Sequence, residues 1–309
     1  MCITIPSIGP IMSAPCAEPD PMNAQVMSEQ DKIADEHLPV LIIQPTTGWG
    51  RLALHEVWEY RDLLYFLLWR DVKGRYKQMA LGPLWIVLRP LFNMVLFTLI
   101  FGMVAKLPSE GVPYPIFTYT ALLPWTFFSG ALMAAANSLL NHRHLIAKVY
   151  FPRLIVPIVG VISGFIDFSI SLLILLGMMV FYGYGVSWKI FTLPIFLCIA
   201  AMTALAVGLW CASWIVHYHD VNEMLSYVVR GWMYVTPVVY AISIVPERWR
   251  TLYRLNPMTN VIEGFRWALL GAGQPPDWIC LISTLAVVPV LISGAFYFRR
   301  TERTIVDIA

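Results

Sequence analysis

LGPLWIVLRPLFNMVLFTLIFG, from Leu81 to Gly102, carries a single charge, Arg89, in an otherwise mainly apolar run. A helix that crosses a bilayer needs about 20 mainly apolar residues, and Pro83 to Val104 meets that requirement. Working outward, the same criterion selects Pro115 to Leu140, Leu154 to Tyr182, Ile190 to Val216, Glu223 to Ile244 and Ile279 to Phe298. The expected fold is an all-α polytopic membrane protein with six transmembrane helices in residues 82–298. The composition agrees: 58% of residues are hydrophobic and 13% charged, where a soluble domain carries roughly 25% charged residues. A net charge of +2 gives no basis for a nucleic-acid partner.

An even number of spans puts both termini on one side. Eleven Lys and Arg residues flank the odd-numbered entries and the C-terminus, against six on the other face, so the positive-inside rule places both termini in the cytoplasm. Residues 1–50 are rich in proline, with acidic residues between Glu29 and Glu36, and read as a cytoplasmic tail that is disordered at its start. A charged n-region followed by an apolar h-region is missing, so this is not the pattern of a secretory signal. Residues 299–309 form a second, short cytoplasmic tail.

Between the N-terminal tail and the first span, residues 51–81 contain His55 to Lys77. Here Val57, Tyr60, Leu64, Leu67 and Leu68 recur at helical spacing, while Glu56, Glu59, Asp62, Arg70, Lys73 and Lys77 take the other side. That pattern predicts an amphipathic helix in the membrane interface. Trp58, Tyr65, Trp69 and Tyr76 suit the headgroup level. Before the last span, Pro246 to Trp278 is too long for a plain loop. Val261 to Leu270 is apolar and bracketed by Asn256-Pro257 and Gly271-Gly273, which predicts a pair of short, partly re-entrant helices.

The chain has no phosphate-binding P-loop, no His-Glu-x-x-His and no Gly-x-Ser-x-Gly. It is not expected to be an enzyme, and any ATP hydrolysis that drives it belongs to another polypeptide. Cys2, Cys16, Cys198, Cys211 and Cys280 are scattered without a Cys-x-x-Cys pair, so no catalytic, cofactor-binding or metal role is assigned to them. His142/His144 and His217/His219 have chelating spacing but read as ordinary polar residues at span ends.

Charges inside spans are costly, at least about 2.5–3.5 kcal/mol each unless they meet a partner or water. Arg89 and Arg230 each fall about 9–10 Å inside from the expected cytoplasmic side, and Asp167 lies about 20 Å into the third span. They are candidates for a cationic entrance to an anionic headgroup, with Asp167 as an intramembrane packing charge. Snorkelling to the interface, or pairing internally, is the alternative for both arginines. Trp85, Phe92, Trp125, Phe128, Trp232 and Tyr234 are candidates for an aromatic path on which sugars stack.

WEYRDLLYFLLWRDVKGRYK at Trp58 to Lys77, LGPLWIVLRPLFNMVLFTLIFG at Leu81 to Gly102, LIAKVYFPRLIVP at Leu145 to Pro157, WMYVTPVVY at Trp232 to Tyr240, LNPMTNVIEGFRWALLG at Leu255 to Gly271 and FRRTERT at Phe298 to Thr304 occur in that order. Together they resemble the type-2 ABC transporter permeases that export polysaccharides and polyol phosphates. The resemblance implies a homodimer of this permease with two copies of an ABC ATPase subunit, which would bind the ATP and Mg. It also implies an undecaprenyl-diphosphate-linked cargo of O-antigen, capsule or teichoic-acid type, and surrounding membrane lipid.

By the same resemblance Glu59, Arg61, Asp62, Arg70, Asp71, His142, Arg143, Lys148 and Arg153 would couple to the ATPase. Asn256, Pro257, Glu263 and Arg266 would belong to a periplasmic gate. The chain departs from the family pattern at Arg230, where an uncharged residue is expected, and at His219, where arginine is expected before Asp220-Val221. A glycan-processing membrane enzyme such as a polymerase, and a drug or small-lipid exporter of the same fold, are the alternative readings.

Overall fold

A computed structural model describes residues 58–77, 84–146, 148, 151–185, 187–218 and 220–308. The expectations for residues 1–50, and for His55, Val57, Pro83 and His219, lie outside the described residues. The described chain is helical, and no strand occurs among the described residues.

Helix α1 (Arg61–Lys77) precedes α2 (Leu84–Phe97), which continues into a π-helical stretch, Thr98–Val104. Helix α3 (Tyr114–Ala136) is followed by two single turns, α4 (Ser138–Asn141) and α5 (Arg143–Ile146), and then by α6 (Ile155–Phe181). A 3-10 turn, Trp188–Thr192, leads into α7 (Leu193–His217). Helices α8 (Asp220–Val235), α9 (Glu247–Leu255), α10 (Pro257–Leu269) and α11 (Trp278–Ile308) complete the chain.

Among the described residues, five helical stretches are long and apolar enough to cross a membrane: Leu84–Val104, Tyr114–Ala136, Ile155–Phe181, Trp188–His217 and Trp278–Thr301. Each falls within a few residues of an expected span. The expected span Glu223 to Ile244 has a different form. Helix α8 covers 16 residues, about 24 Å at 1.5 Å per residue, and carries Asp220, Asn222, Glu223 and Arg230. Pro237 follows the helix, lacks an N–H and disfavours helical geometry in the residue before it. Helix α11 also runs through Ile308, over the residues expected as a C-terminal tail.

Helix α3 is the most buried of the five long helices and packs on both α6 and α7. The close approach depends on small residues. A Cβ on Gly208 of α7 would come within 2.6 Å of the Ala135 Cβ on α3, and one on Gly160 of α6 within 3.1 Å of the Ala134 backbone. Small residues let helices approach where lipid offers no hydrophobic drive for association. Helix α10 fills the remaining side of α3 and α7, buried from Met258 to Arg266.

The expected stripe on α1 is present in part. Tyr60, Leu63, Leu64, Leu67 and Leu68 pack on Phe151, Ile155, Val156 and Val159 at the start of α6. Aromatic residues also point away from this contact: Tyr65, Phe66 and Trp69 are each at least 60% exposed. The two faces are therefore both largely apolar, and the charges collect at the ends of the segment.

Gly208→Val is expected to force α3 and α7 apart and destabilise the fold by about 1–3 kcal/mol. Gly177→Ala, at a position with open space around it, is expected to be neutral or slightly stabilising. Thermal unfolding of both variants in the same detergent checks the difference.

Candidate functional site

Helices α2, α3 and α6 enclose a cavity of about 420 Å³. Helix α2 contributes Trp85, Arg89 and Asn93, α3 contributes Thr126 and Ser129, and α6 contributes Ser163, Asp167 and Ser171. Arg75 reaches in from α1. Its Nη1 donates to Asp167 Oδ2 at 3.0 Å and its Nη2 to Ser163 Oγ at 2.8 Å. Arg89 is exposed, and its guanidinium carbon lies 5.9 Å from the centre of the Trp85 ring.

Of the residues expected at a cationic entrance, the structure brings together Arg89, Asp167 and Trp85, and adds Arg75. Arg230 is not among the residues lining the cavity; it lies exposed on α8, 5.6 Å from the Tyr227 ring. The other expected aromatics separate by burial. Phe92 and Tyr234 are exposed, whereas Trp125 and Phe128 are core residues, and Phe128 meets the half-buried Trp232 edge-to-face at 5.2 Å.

A second cluster forms where α1 meets the turns after α3. His142 Nδ1 lies 3.0 Å from the Ser138 carbonyl and Nε2 lies 3.1 Å from Asp71 Oδ2. Both partners only accept, so whichever ring nitrogen bears a proton has an acceptor in reach. Burial pushes the Asp71 carboxyl up, but hydrogen bonds and charge from His142 and Arg70 outweigh it and hold it below the usual carboxylate value. Glu59, Arg61, Asp62, Arg143 and Lys148 are exposed, and Arg153 is half-buried. Among the described residues no three His, Cys, Asp or Glu side chains group as metal ligands.

The third cluster surrounds Arg266, which is 1% exposed. Asn256 caps α10 by accepting from Met258 N, and Pro257 occupies its first turn. Gly271, at φ +68°, ends the helix in the left-handed region that glycine favours. Arg266 Nη1 donates to Pro237 O at 2.9 Å, Tyr240 O at 3.3 Å and Glu263 Oε1 at 3.1 Å, while Nη2 donates to Val238 O at 2.9 Å. Its guanidinium stacks on Phe117, 3.7 Å from the ring centre. Asn256 Nδ2 donates to Thr236 Oγ1 at 3.0 Å. Three of the four residues expected at a gate, Asn256, Glu263 and Arg266, thus hold the irregular segment after α8 or the loop after α10. Tyr114, whose hydroxyl donates to Val239 O, was not expected there, because an aromatic at a helix start has no distinguishing sequence pattern.

The sequence profile of the ABC-2 type transporter family matches residues 62–270. The chain is 31% identical over 255 residues to an O-antigen export system permease protein of Myxococcus xanthus, covering 81% of this chain and 96% of that one. It is 23% identical to an O-antigen export system permease protein of Klebsiella pneumoniae, covering 78% and 93%. It is 20% identical to the polysialic acid transport protein of Escherichia coli, covering 76% and 92%. The chain belongs to the ABC-2 type transporter family and is a multi-pass membrane protein.

Arg266→Met would leave the buried Glu263 charge without its counter-ion and three carbonyls without their donor, an expected loss on the order of 3–5 kcal/mol. Arg266→Lys keeps the charge but loses the fork that reaches several acceptors, and is expected to lose less. Unfolding midpoints of the two purified variants test the order.

Proposed function

We propose that this chain is the permease subunit of an ATP-driven exporter that moves a lipid-linked polysaccharide across the bacterial inner membrane. The observation that carries this reading is the 31% identity along 96% of an O-antigen export permease. An ABC ATPase, two copies per permease homodimer, would supply ATP hydrolysis and hold the Mg. Both termini would be cytoplasmic, with α8 as the fifth of six crossings and α9–α10 as the partly re-entrant gate on the far side.

The cavity suits the anionic end of such a cargo. Arg89 there is free of any ion pair among the described residues and sits beside Trp85, so it can offer a charge-assisted contact to a diphosphate while the ring supports the first sugar. The path would then continue over exposed rings such as Phe92, while Trp125 and Phe128 pack the bundle. The turns after α3, with His142 held against Asp71 and with Arg143 and Lys148 exposed, would form the surface that meets the ATPase.

Deleting the gene in its native cell is expected to remove surface polysaccharide and leave the lipid-linked chain inside, with both effects reversed by the wild-type copy. Unchanged surface polysaccharide would reject the reading. Arg89→Gln is expected to reduce export several-fold at normal permease abundance. Arg230→Gln, outside the cavity, is expected to have the smaller effect. The purified chain should hydrolyse ATP only when its ATPase is added, which a phosphate-release assay decides.

A further inference from the structure

Arg75 enters the cavity from α1, and its fork is already occupied by Asp167 and Ser163 at 3.0 and 2.8 Å. Neither partner of the ion pair is sealed in packing: the Arg75 side chain is 36% exposed and that of Asp167 35%. Arg89 lines the same space. Among the described residues the cavity therefore sets two guanidinium groups against one carboxylate, and the carboxylate sits on a fork that also fits phosphate oxygens.

We propose that Asp167 is a resident counter-ion which a phosphate group of the cargo replaces on Arg75, so that the cavity binds anions by exchange, with Arg75 and Arg89 as its two forks. This deepens the export reading and rests on it for the nature of the cargo. In the empty state the carboxylate spares Arg75 the cost of standing unpaired among apolar helices. It also sets a threshold. A neutral lipid cannot displace it, and a lipid with one phosphate charge gains little by doing so. A diphosphate brings more charge and enough oxygens to engage both arginines. Exchange also moves the anchor at the C-terminal end of α1 from α6 to the cargo.

The test uses the full chain in phosphatidylcholine nanodiscs, with undecaprenyl diphosphate, undecaprenyl monophosphate and inorganic pyrophosphate as probes. Arg75→Gln is expected to weaken diphosphate binding about tenfold or more, and Arg75→Lys to weaken it less. Asp167→Asn is expected to tighten binding and to narrow the preference for diphosphate over monophosphate. A purely structural ion pair predicts otherwise, because removing either partner breaks the same contact and moves affinity in the same direction. Changes of one sign in both variants, or no binding by wild type, overturn the proposal.

The same pattern of opposite signs with inorganic pyrophosphate supports a site for the phosphate group itself, and with the lipid alone a site for the lipid-borne headgroup. Thermal unfolding is followed for each variant, and Asp167→Ser replaces any Asp167→Asn protein that fails to fold. Lost surface polysaccharide on gene deletion without diphosphate binding would retire the exchange site and keep the export reading. Binding with undiminished surface polysaccharide after deletion would do the reverse.

Discussion

The carbonyls of Pro237, Val238, Val239 and Tyr240 face a constraint that a helix would have met for them. They lie in an irregular segment whose residues Thr236 to Val239 are buried, and an unsatisfied backbone group in an apolar surround costs several kcal/mol. Side chains take up all four: Arg266 those of Pro237, Val238 and Tyr240, and Tyr114 that of Val239. Further on, Arg250 donates to Ser243 O at 3.0 Å and Val245 O at 2.8 Å. One fully buried guanidinium thus makes a break in the bundle tolerable where the chain could otherwise only be helical.

The position of Arg266 fixes much of the surrounding packing. It sits on α10, so α10 must lie inside the bundle against α3 and α7 for the fork to reach the carbonyls. That placement brings α10 so close to α7 that a Cβ on Gly264 would fall 2.4 Å from the Phe196 ring. It also puts Phe117 of α3 beneath the guanidinium. Glu263 neutralises the arginine and accepts from Gln274 N at 3.4 Å, tying down the loop that leads to α11. The shortness of α8 belongs to the same arrangement: the helix stops where Pro237 begins the segment that Arg266 holds.

What was legible in the sequence follows from what leaves a local trace. Apolar runs marked the long helices because each needs its own length of hydrocarbon-compatible residues. The ends of α10 were legible as Asn256-Pro257 and Gly271, since capping and left-handed turns demand those residue types. The resemblance assigns Arg266 to the gate, but what it holds there leaves no trace in the sequence, because its partners are backbone carbonyls and carbonyls have no sequence signature. The same holds for Arg75. In the sequence it is one of several cations ahead of the first span, and its partner Asp167 stands 92 residues away. Trp125 and Phe128 resemble path residues in composition but are core residues in three dimensions, a distinction that depends on helix rotation.

Helix α1 shows how a short segment ahead of the first span becomes part of the machinery. Leu67, Asp71 and Arg75 are spaced four apart and share one stripe. Leu67 is fully buried against α6, Asp71 holds His142 in the turns after α3, and Arg75 holds Asp167 inside the cavity. The contacts on α6 advance with those on α1, from Ile155 and Val159 beside Leu67 to Ser163 and Asp167 beside Arg75. The helix therefore runs along α6 in the same direction. A helix held only by lipid would have no fixed register with the bundle, but these three contacts give α1 one. A shift of α1 along its axis would disturb the cavity and the His142 turn together, so one rigid element spans the place where an anion can bind and the place where the chain turns between α3 and α6.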